Sequence, residues 1–395
     1  MSKPVIVSGA RTPIGRFGGS FKDHSAVELG AVVLKEALGR AGVEPKDVDE
    51  VVMGNVLQVN DDGYASRMAA LRAGIPEEVP AININRWCSS GLEAINLASQ
   101  LIMTGEAEIV VAGGTENMSQ TPYLMPKQTR WDGFRMGDAK VRDGLIAGLN
   151  CPVNYYHMGV TAENVASRFE VSRLEQDELA IMSQQRAGRA IAEGRFRPSL
   201  IPVEVPQRKG DPKVVEIDEH PRPDTTLEAL SALRPAFKED GSVTAGNASG
   251  INDGAAAVVV MSQGKADELG LKPRLRWIAR AVAGVDPSVM GIGPVPAVRK
   301  VLKKTGMSLA DIDVIELNEA FAAQAAYVIR ELGLDIEKTN PNGSGIALGH
   351  PVGATGAIMT LKAMDELDRI DGEYGLVTMC VGGGQGCASI FQRVN

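Results

Sequence analysis

Short apolar runs alternate along the chain with longer stretches in which apolar residues recur every three or four positions. The short runs predict buried strands, and the longer stretches predict amphipathic helices. The predicted strands are Val5–Val7, Val51–Met53, Ile109–Ala112, Ala256–Met261, Val314–Leu317, Leu376–Met379 and Ala388–Phe391. The predicted helices are Ala26–Ala41, Leu92–Met103, Leu174–Glu193, Ala297–Thr305, Ala322–Leu332 and Ala354–Leu367. This alternation is typical of an α/β architecture with buried, mostly parallel sheets.

Glycine marks the end of several predicted helices. Gly42, Gly105 and Gly333 each lie at or just after the last periodic turn. Glycine adopts the left-handed conformation that ends many helices without steric cost, so these positions are predicted helix C-termini.

The middle third of the chain differs from the rest. Residues 121–250 carry many prolines and charges and few apolar runs, which indicates a large insertion or lid. The strand-and-glycine segment Ile109–Gly114 is echoed weakly by Leu376–Gly383, which suggests two related halves around that insertion. The expected units are an N-terminal half at 1–120 plus 250–270, an inserted domain at 121–249, and a C-terminal half at 271–395.

Composition argues against several classes of partner. Aromatic residues make up only 4% of 395 residues and the net charge is −8, so a nucleic-acid partner is not expected. No apolar run is long enough for a membrane-spanning helix. Residues 121–250 hold 17 Lys and Arg against 18 Asp and Glu, whereas the remaining residues hold 24 against 31. The middle third is therefore the better place to receive an anionic ligand.

The four cysteines, Cys88, Cys151, Cys380 and Cys387, are too sparse for a disulfide framework. None belongs to a CxxC pair, so we expect no metal site. Free thiols fit a reducing compartment. The first residues show no charged segment followed by an apolar core, so we expect no secretory leader and a cytoplasmic protein.

Cys88 lies in a predicted turn between an extended segment and a helix. Ile82–Ile84 looks extended, and the apolar residues of Leu92–Met103 follow a helical period. A thiol at a helix N-terminus feels the positive end of the helix dipole, which favours the thiolate and predicts a lowered pKa. Cys88 is therefore a candidate nucleophile, and a buried structural cysteine is the alternative.

Three further motifs place polar residues in loops or at strand ends. His350 lies in Asn342–Gly356, a loop that contains five glycines. Cys380 follows a predicted strand and precedes Gly382–Gly384, whose N–H groups could face a ligand oxygen. Asn318 directly follows another predicted strand, and α/β folds often place catalytic residues at the carboxyl ends of strands.

Each of these motifs also has a simpler interpretation. The His350 loop could bind phosphate, although its spacing matches neither the dinucleotide nor the P-loop pattern. The glycines after Cys380 could form a plain turn, and Asn318 could cap the next helix. Together, however, a cysteine and a histidine are the groups needed for acyl transfer through a thioester, and a second cysteine could serve as an acid or base.

The sequence resembles the thiolases, the acetyl-CoA acyltransferases of the thiolase superfamily, over essentially its whole length. The resemblance rests on motifs in the same order: Gly9–Pro13, Asn85–Ile95 around Cys88, Asn318–Phe321, Gly349–Pro351 and Cys380–Gly384. It implies two similar α/β halves in a five-layered αβαβα arrangement, with the insertion as a loop domain over the active site. It also implies a homodimer or homotetramer.

The resemblance assigns roles to matching residues. Cys88 would be the nucleophile that carries the acyl group, and His350 would take its proton and then help bind the thioester oxygen. Cys380 would move the α-proton of the second acetyl-CoA. Asn318 would hold a water that stabilises the enolate oxygen together with His350. The backbone N–H groups of Cys88 and Gly382 would form the second oxyanion hole, which suits carbanion chemistry beside a thioester.

The resemblance also implies that coenzyme A thioesters are substrates and that no cofactor is bound permanently. The matching coenzyme A positions are His157, Met158, Arg222, Ala245, Ser249 and Phe321. Arg222 would approach the adenine-nucleotide end. Ala229 departs from the pattern, because some relatives have a serine near the adenine.

Two motifs point to different substrates. Cys88–Gly91 is similar to the degradative, longer-chain members, whereas His157–Gly159 is similar to the short-chain members. Because the second motif would line the acyl pocket, we expect reversible Claisen condensation of two acetyl-CoA to acetoacetyl-CoA, or thiolysis of 3-ketoacyl-CoA. The alternatives are a longer-chain thiolase of fatty-acid oxidation, a ketosynthase or hydroxymethylglutaryl-CoA synthase, and a non-catalytic coenzyme A or lipid binder. A ketosynthase has a second histidine where this chain has Cys380, and the synthase uses a glutamate base.

Overall fold

A computed structural model of the chain describes residues 2–59, 63–134, 136–207 and 209–394. The strands are β1 (Pro4–Arg11), β2 (Gly15–Arg16), β3 (Glu50–Gly54), β4 (Ala81–Ile84), β5 (Ile109–Asn117), β6 (Tyr123–Leu124), β7 (Arg142–Asp143), β8 (Val203–Val205), β9 (Lys213–Val215), β10 (Asn252–Ser262), β11 (Leu275–Gly284), β12 (Val314–Leu317), β13 (Tyr374–Val381) and β14 (Gln385–Arg393). The helices are α1 (Ala26–Ala41), α2 (Ala65–Arg72), α3 (Ser90–Thr104), α4 (Thr129–Asp132), α5 (Gly144–Gly148), α6 (Met158–Arg168), α7 (Arg173–Ala192), α8 (Leu227–Ser231), α9 (Gln263–Glu268), α10 (Pro294–Thr305), α11 (Ala322–Leu332), α12 (Gly345–Leu348) and α13 (Thr355–Ile370).

The main strands form one continuous sheet in the order β12-β13-β14-β11-β1-β10-β5-β3-β4, with β2 added beside β10. Among the described residues, the pairs β3–β4, β3–β5 and β12–β13 of this sheet are parallel and its other pairs are antiparallel. The prediction of mostly parallel sheets is therefore wrong. A continuous apolar run shows that both faces of a strand are buried, and here helices cover both faces of antiparallel strands as well.

Successive residues of the strands pack against different helix layers. Val51 and Val111 pack in the cluster with α1 and α2, whereas their neighbours Val52 and Val110 pack in the cluster with α3 and α13. The central helices also cover one face of β12, β13 and β14, and α10 and α11 cover the other face. The layers therefore run αβαβα, as predicted.

The two halves repeat one topology and are joined along their edges. In each half a parallel pair is followed by an antiparallel neighbour, as β3-β5-β10 in the first half and β12-β13-β14 in the second. Residues Val5 and Ile6 of β1 pair with Arg276 and Leu275 of β11. This edge contact makes one sheet of two, a feature that the hydrophobic pattern does not reveal.

The predicted helix ends agree with the structure. Gly42, Gly105 and Gly333 follow α1, α3 and α11 with φ of 66°, 79° and 64°, in the left-handed region. Strand β11 was missed because Arg276 and Arg280 interrupt its apolar residues, so its first half lacks a continuous apolar run. Within the insertion, α6 and α7 pack against α11. No described helix is long and apolar enough to span a membrane.

Candidate active site

A cavity of about 830 Å³ lies between the two halves and the insertion. Nine of the eleven predicted site residues line it: Cys88, His157, Met158, Arg222, Ala245, Ser249, Phe321, His350 and Gly382. The other two lie directly behind this lining. Cys380 packs in the apolar cluster that contains Met158 and Phe321, and Asn318 contacts His350. The structure therefore brings together residues that are separated by almost three hundred positions in the sequence.

Cys88 lies on a tight turn between β4 and α3. Trp87 adopts φ of 46°, which is rare for a bulky residue and persists only where the surroundings impose it. The Ser90 hydroxyl accepts a hydrogen bond from the Arg86 N–H (2.9 Å) and donates one to the Trp87 carbonyl (2.6 Å). This serine therefore fixes the turn that presents the Cys88 thiol to the cavity.

The surroundings of Cys88 disfavour its thiolate. Burial raises its pKa to about 11, although the backbone N–H groups of Gly382 and of Cys88 itself lower it; the charge of Glu116 raises it further. The expectation of a lowered pKa is therefore wrong. The helix dipole was a local argument, and desolvation in the folded protein outweighs it. The same two backbone N–H groups face the Cys88 sulfur, so two hydrogen-bond donors lie beside the thiol.

His350 is held as a neutral imidazole. Its Nδ1 lies 2.6 Å from the Thr355 hydroxyl, which itself donates to the Pro351 carbonyl (2.9 Å). When the hydroxyl gives its one proton to this carbonyl, it accepts from Nδ1–H, and this arrangement leaves the lone pair on Nε2. The amide Nδ2 of Asn318 lies 3.3 Å from Nε2, in agreement with that tautomer. Burial lowers the pKa of His350 to about 4, so the ring is uncharged at neutral pH.

A glycine and an asparagine fix the backbone of the His350 loop. Gly349 has φ of 102°, and a Cβ at that position would lie 2.5 Å from the side chain of Asn252. The Asn252 Oδ1 accepts from the His350 N–H at 2.9 Å. The close approach requires glycine, and it lets Asn252 hold the histidine backbone.

The second thiol, Cys380, is fully buried near the end of β13, beside the glycine turn. Burial raises its pKa, and a negative charge on Cys88 would raise it further. A Cβ on Gly382 would lie 2.9 Å from the Trp87 ring and 3.0 Å from the Met158 methyl group. Only glycine therefore fits between Trp87 and Met158 at this point of the cavity wall.

Asn318 does not cap the next helix. The N-cap of α11 is Phe321, and no side-chain hydrogen bond caps this helix. Instead the Asn318 amide nitrogen faces His350, while its Oδ1 is buried and has no hydrogen-bond partner among the described residues. The helix-cap alternative is therefore wrong, and an acceptor is available beside His350.

An aromatic stack forms one wall of the cavity. His157 caps α6 by accepting from the Gly159 N–H at 3.0 Å, and burial lowers its pKa. Its ring stacks on Phe237 with centroids 4.8 Å apart and an interplanar angle of 15°. Phe237 meets Phe321 edge-to-face at 6.0 Å. The wall is flat, apolar and uncharged, and it connects the insertion to the C-terminal half.

Arg222 supplies positive charge at an exposed part of the cavity wall. Its backbone N–H donates to the Gln184 Oε1 at 2.7 Å, which anchors the segment. Within the described ranges, its guanidinium has no carboxylate at ion-pairing distance. The side chain is therefore available to an anionic ligand.

Comparison with known proteins agrees with this geometry. The family model described as Thiolase, N-terminal domain, matches residues 4–264, and that described as Thiolase, C-terminal domain, matches residues 271–393. The chain belongs to the thiolase family. The Beta-ketothiolase BktB of Cupriavidus necator is 53% identical to this thiolase over 392 residues, which cover 99% of each chain.

Solved structures show the same fold. The Bacillus anthracis acetyl-CoA acetyltransferase matches this thiolase with a TM-score of 0.97 and 49% identity, covering 100% of this chain and 99% of that one. The human mitochondrial 3-ketoacyl-CoA thiolase in complex with CoA matches with a TM-score of 0.95 and 46% identity, covering 100% and 98%.

Several residues of the thiolase site were not predicted. Trp87, Gln184 and His220 line the cavity, and Thr355 orients His350. His220 packs tightly against Gly250, where a Cβ would lie 2.3 Å from the imidazole. No sequence signal marked His220, because this histidine lies in no glycine-rich loop and its contact with Gly250 joins two separate segments of the chain.

Proposed function

We propose that this thiolase transfers acyl groups between coenzyme A thioesters through an acyl-cysteine intermediate. The reaction is the reversible Claisen condensation of two acetyl-CoA to acetoacetyl-CoA and CoA, with thiolysis as its reverse. The observation that carries the proposal is the convergence of the Cys88 thiol, the neutral His350 base and the buried Cys380 beside the Gly382 N–H. The names of the similar proteins, acetyl-CoA acetyltransferase and beta-ketothiolase, support it.

In the acylation step, His350 Nε2 takes the proton of the Cys88 thiol as the sulfur attacks the thioester carbon. The negative charge on the thioester oxygen is stabilised by the N–H groups of Cys88 and Gly382. When the carbon–sulfur bond of the substrate breaks, the departing coenzyme A sulfur takes the proton of Cys380. Acetyl-Cys88, a Cys380 thiolate and a protonated His350 remain.

In the condensation step, the Cys380 thiolate removes an α-proton from the second acetyl-CoA. The resulting carbanion attacks the acetyl carbon on Cys88, and the Cys88 sulfur leaves and takes the proton back from His350. Burial that raises the pKa of Cys380 makes its thiolate a stronger base, which carbon-acid chemistry requires. The available Oδ1 of Asn318 supports its proposed role in holding a water that, with protonated His350, stabilises the enolate oxygen.

Coenzyme A would lie along the cavity from Arg222 to Cys88. The pantetheine arm would pass the His157–Phe237 wall together with Met158, Ala245, Ser249 and Phe321, all of which line the cavity. The phosphates would pair with Arg222, because guanidinium groups bind phosphate through charge-assisted hydrogen bonds. The similarity to a thiolase whose structure was solved with CoA supports coenzyme A as the ligand.

We propose acetyl-CoA and acetoacetyl-CoA as the preferred substrates, and longer 3-ketoacyl-CoA as the second candidate. One observation favours the second: apolar side chains of Met118, Leu149, Ile251 and Val352 cluster around Cys88 and also line the cavity. An acetyl group does not need so large an apolar surface. Thiolysis rates measured from four-carbon to long-chain 3-ketoacyl-CoA decide between the two.

We propose a homo-oligomer, either a dimer or a tetramer, because the insertion exposes a group of large apolar side chains: Tyr123, Met125, Trp131, Phe134 and Met136. A cytoplasmic location is supported by four unpaired cysteines. The division at residues 121–249 is supported by the position of this segment over the cavity.

The Cys380→Ser variant tests the mechanism. It keeps a hydroxyl of similar shape, but a serine is a far weaker acid or base near neutral pH. The variant should still acquire an acetyl group on Cys88, seen as a mass increase on one peptide, but more slowly than the wild type because Cys380 no longer supplies a proton to the departing coenzyme A sulfur. It should lose most condensation, thiolysis and exchange of acetyl α-protons with deuterated water, and Cys88→Ser should lose acylation as well. Near wild-type condensation by Cys380→Ser would contradict the assignment of the base.

A further inference from the structure

One buried carboxylate connects the two halves behind the active site. Glu116, at the end of β5, is 1% exposed. Its Oε1 accepts from the Asn55 side-chain amide and the Leu57 N–H, each at 3.1 Å. Its Oε2 accepts from the Val56 N–H at 3.0 Å and from the Gly353 N–H at 2.9 Å. Three of these donors belong to the N-terminal half, and the fourth belongs to the loop that carries His350.

The same loop packs against three glycines of the N-terminal half. A Cβ on Gly54, Gly91 or Gly114 would lie 2.8, 2.9 or 2.0 Å from the Gly353 carbonyl oxygen. Gly91 belongs to the first turn of α3, three residues after Cys88. The loop that carries His350 is therefore packed directly on the turn that carries Cys88, and Glu116 binds its backbone at the point of contact.

We propose that Glu116 is a positioning residue for acyl transfer, which holds the His350 loop at the correct distance from Cys88; this inference rests on the proposed function. A carboxylate only accepts hydrogen bonds, and all four neighbours named above donate. An amide would direct an NH2 group at two donors in either orientation, at Val56 and Gly353 or at Asn55 and Leu57, so glutamine would disturb the contact between the loop and the N-terminal half. Misplacement of reacting groups by about 1 Å costs on the order of a hundredfold in rate.

Glu116 also places negative charge near the nucleophile. This charge raises the pKa of Cys88, and the other groups of the site that face the thiol are His350 and Cys380. Removing the charge should therefore make Cys88 more reactive towards a small alkylating reagent. Loss of positioning should therefore lower kcat, whereas loss of the charge should raise the rate at which Cys88 is alkylated.

Three variants separate the two effects. Glu116→Gln should lower kcat per titrated active site about a hundredfold while increasing iodoacetamide labelling of Cys88 several-fold at pH 8. Glu116→Asp keeps the charge but shortens the arm, so kcat should fall while labelling stays near wild type. Asn55→Ala removes one donor and leaves the carboxylate, so it keeps the experiment informative if the other variants fold poorly; its kcat should fall several-fold.

The matched control is Glu163→Gln. Glu163 is also a buried glutamate that accepts several N–H groups, from Ser242 and Val243, but it lies in the insertion. This variant should lose stability without changing kcat per active site or Cys88 labelling. Wild-type kcat in folded Glu116→Gln and Asn55→Ala would overturn the inference. Absence of acyl transfer in the wild-type protein would instead overturn the proposed function.

Discussion

The orientation of His350 makes a strong prediction for Thr355→Val. The substitution keeps the shape of the side chain but removes the hydroxyl that lies between Nδ1 of His350 and the Pro351 carbonyl. Both of these groups are buried; Nδ1 would lose its partner, whereas the carbonyl would keep the backbone N–H groups of Ala354 and Thr355. The imidazole would then no longer be forced to carry its proton on Nδ1.

The magnitude follows from the two roles of the hydroxyl. An unsatisfied buried polar group costs about 1–3 kcal/mol, so the free energy of unfolding should fall by roughly that amount. In the other tautomer Nε2 carries the proton and cannot accept from Cys88, so the acylation rate should fall by about 10- to 1000-fold. An enzyme whose catalytic histidine is held in the wrong tautomer loses as much as about 10⁴-fold in kcat.

To measure acylation, the variant is mixed with acetyl-CoA, the reaction is quenched at increasing times, and the mass of the Cys88 peptide is followed. Thr360→Val is the matched control, because Thr360 lies on the same helix, is fully buried, and donates only to the Gly356 carbonyl at 2.9 Å. The control should lose some stability and retain its acylation rate. If Thr355→Val loses stability but acylates at the wild-type rate, the tautomer argument is refuted.

Much of the fold is readable from local patterns. The bounds of α1, α11 and β12 match the prediction, because a periodic apolar face or a short apolar run with polar or glycine neighbours defines them. Strand direction is not readable in this way. It depends on which strands become neighbours, and the apolar run of β10 looks the same beside the antiparallel β1 and β5 as it would in a parallel sheet.

The chemistry of the site is only partly readable. Cys88, His350, Cys380 and Asn318 were predicted because each follows a strand or lies among glycines, and these are local features. Their protonation states depend on burial by residues far away in sequence, which is why the pKa expected for Cys88 was wrong. Glu116 gave no signal because it looks like an ordinary strand residue, and its bond to Gly353 spans 237 positions.

Two further predictions concern the cavity. Arg222→Ala should raise KM for acetyl-CoA about tenfold and leave kcat nearly unchanged in steady-state kinetics, because phosphate binding contributes equally to the ground state and the transition state. An equal loss in kcat would show that Arg222 does not bind the phosphates. The second concerns the pH dependence of Cys88 alkylation, followed by mass spectrometry from pH 6 to 11. A pKa of about 11, against 9.0 for an ordinary thiol, means a thiolate fraction about a hundredfold smaller at neutral pH. The alkylation rate should therefore rise about tenfold per pH unit without levelling off below about pH 10, and acetyl-CoA should protect the thiol throughout. A plateau near pH 7 would instead show a resting thiolate paired with protonated His350, and proton transfer on substrate arrival would no longer be needed.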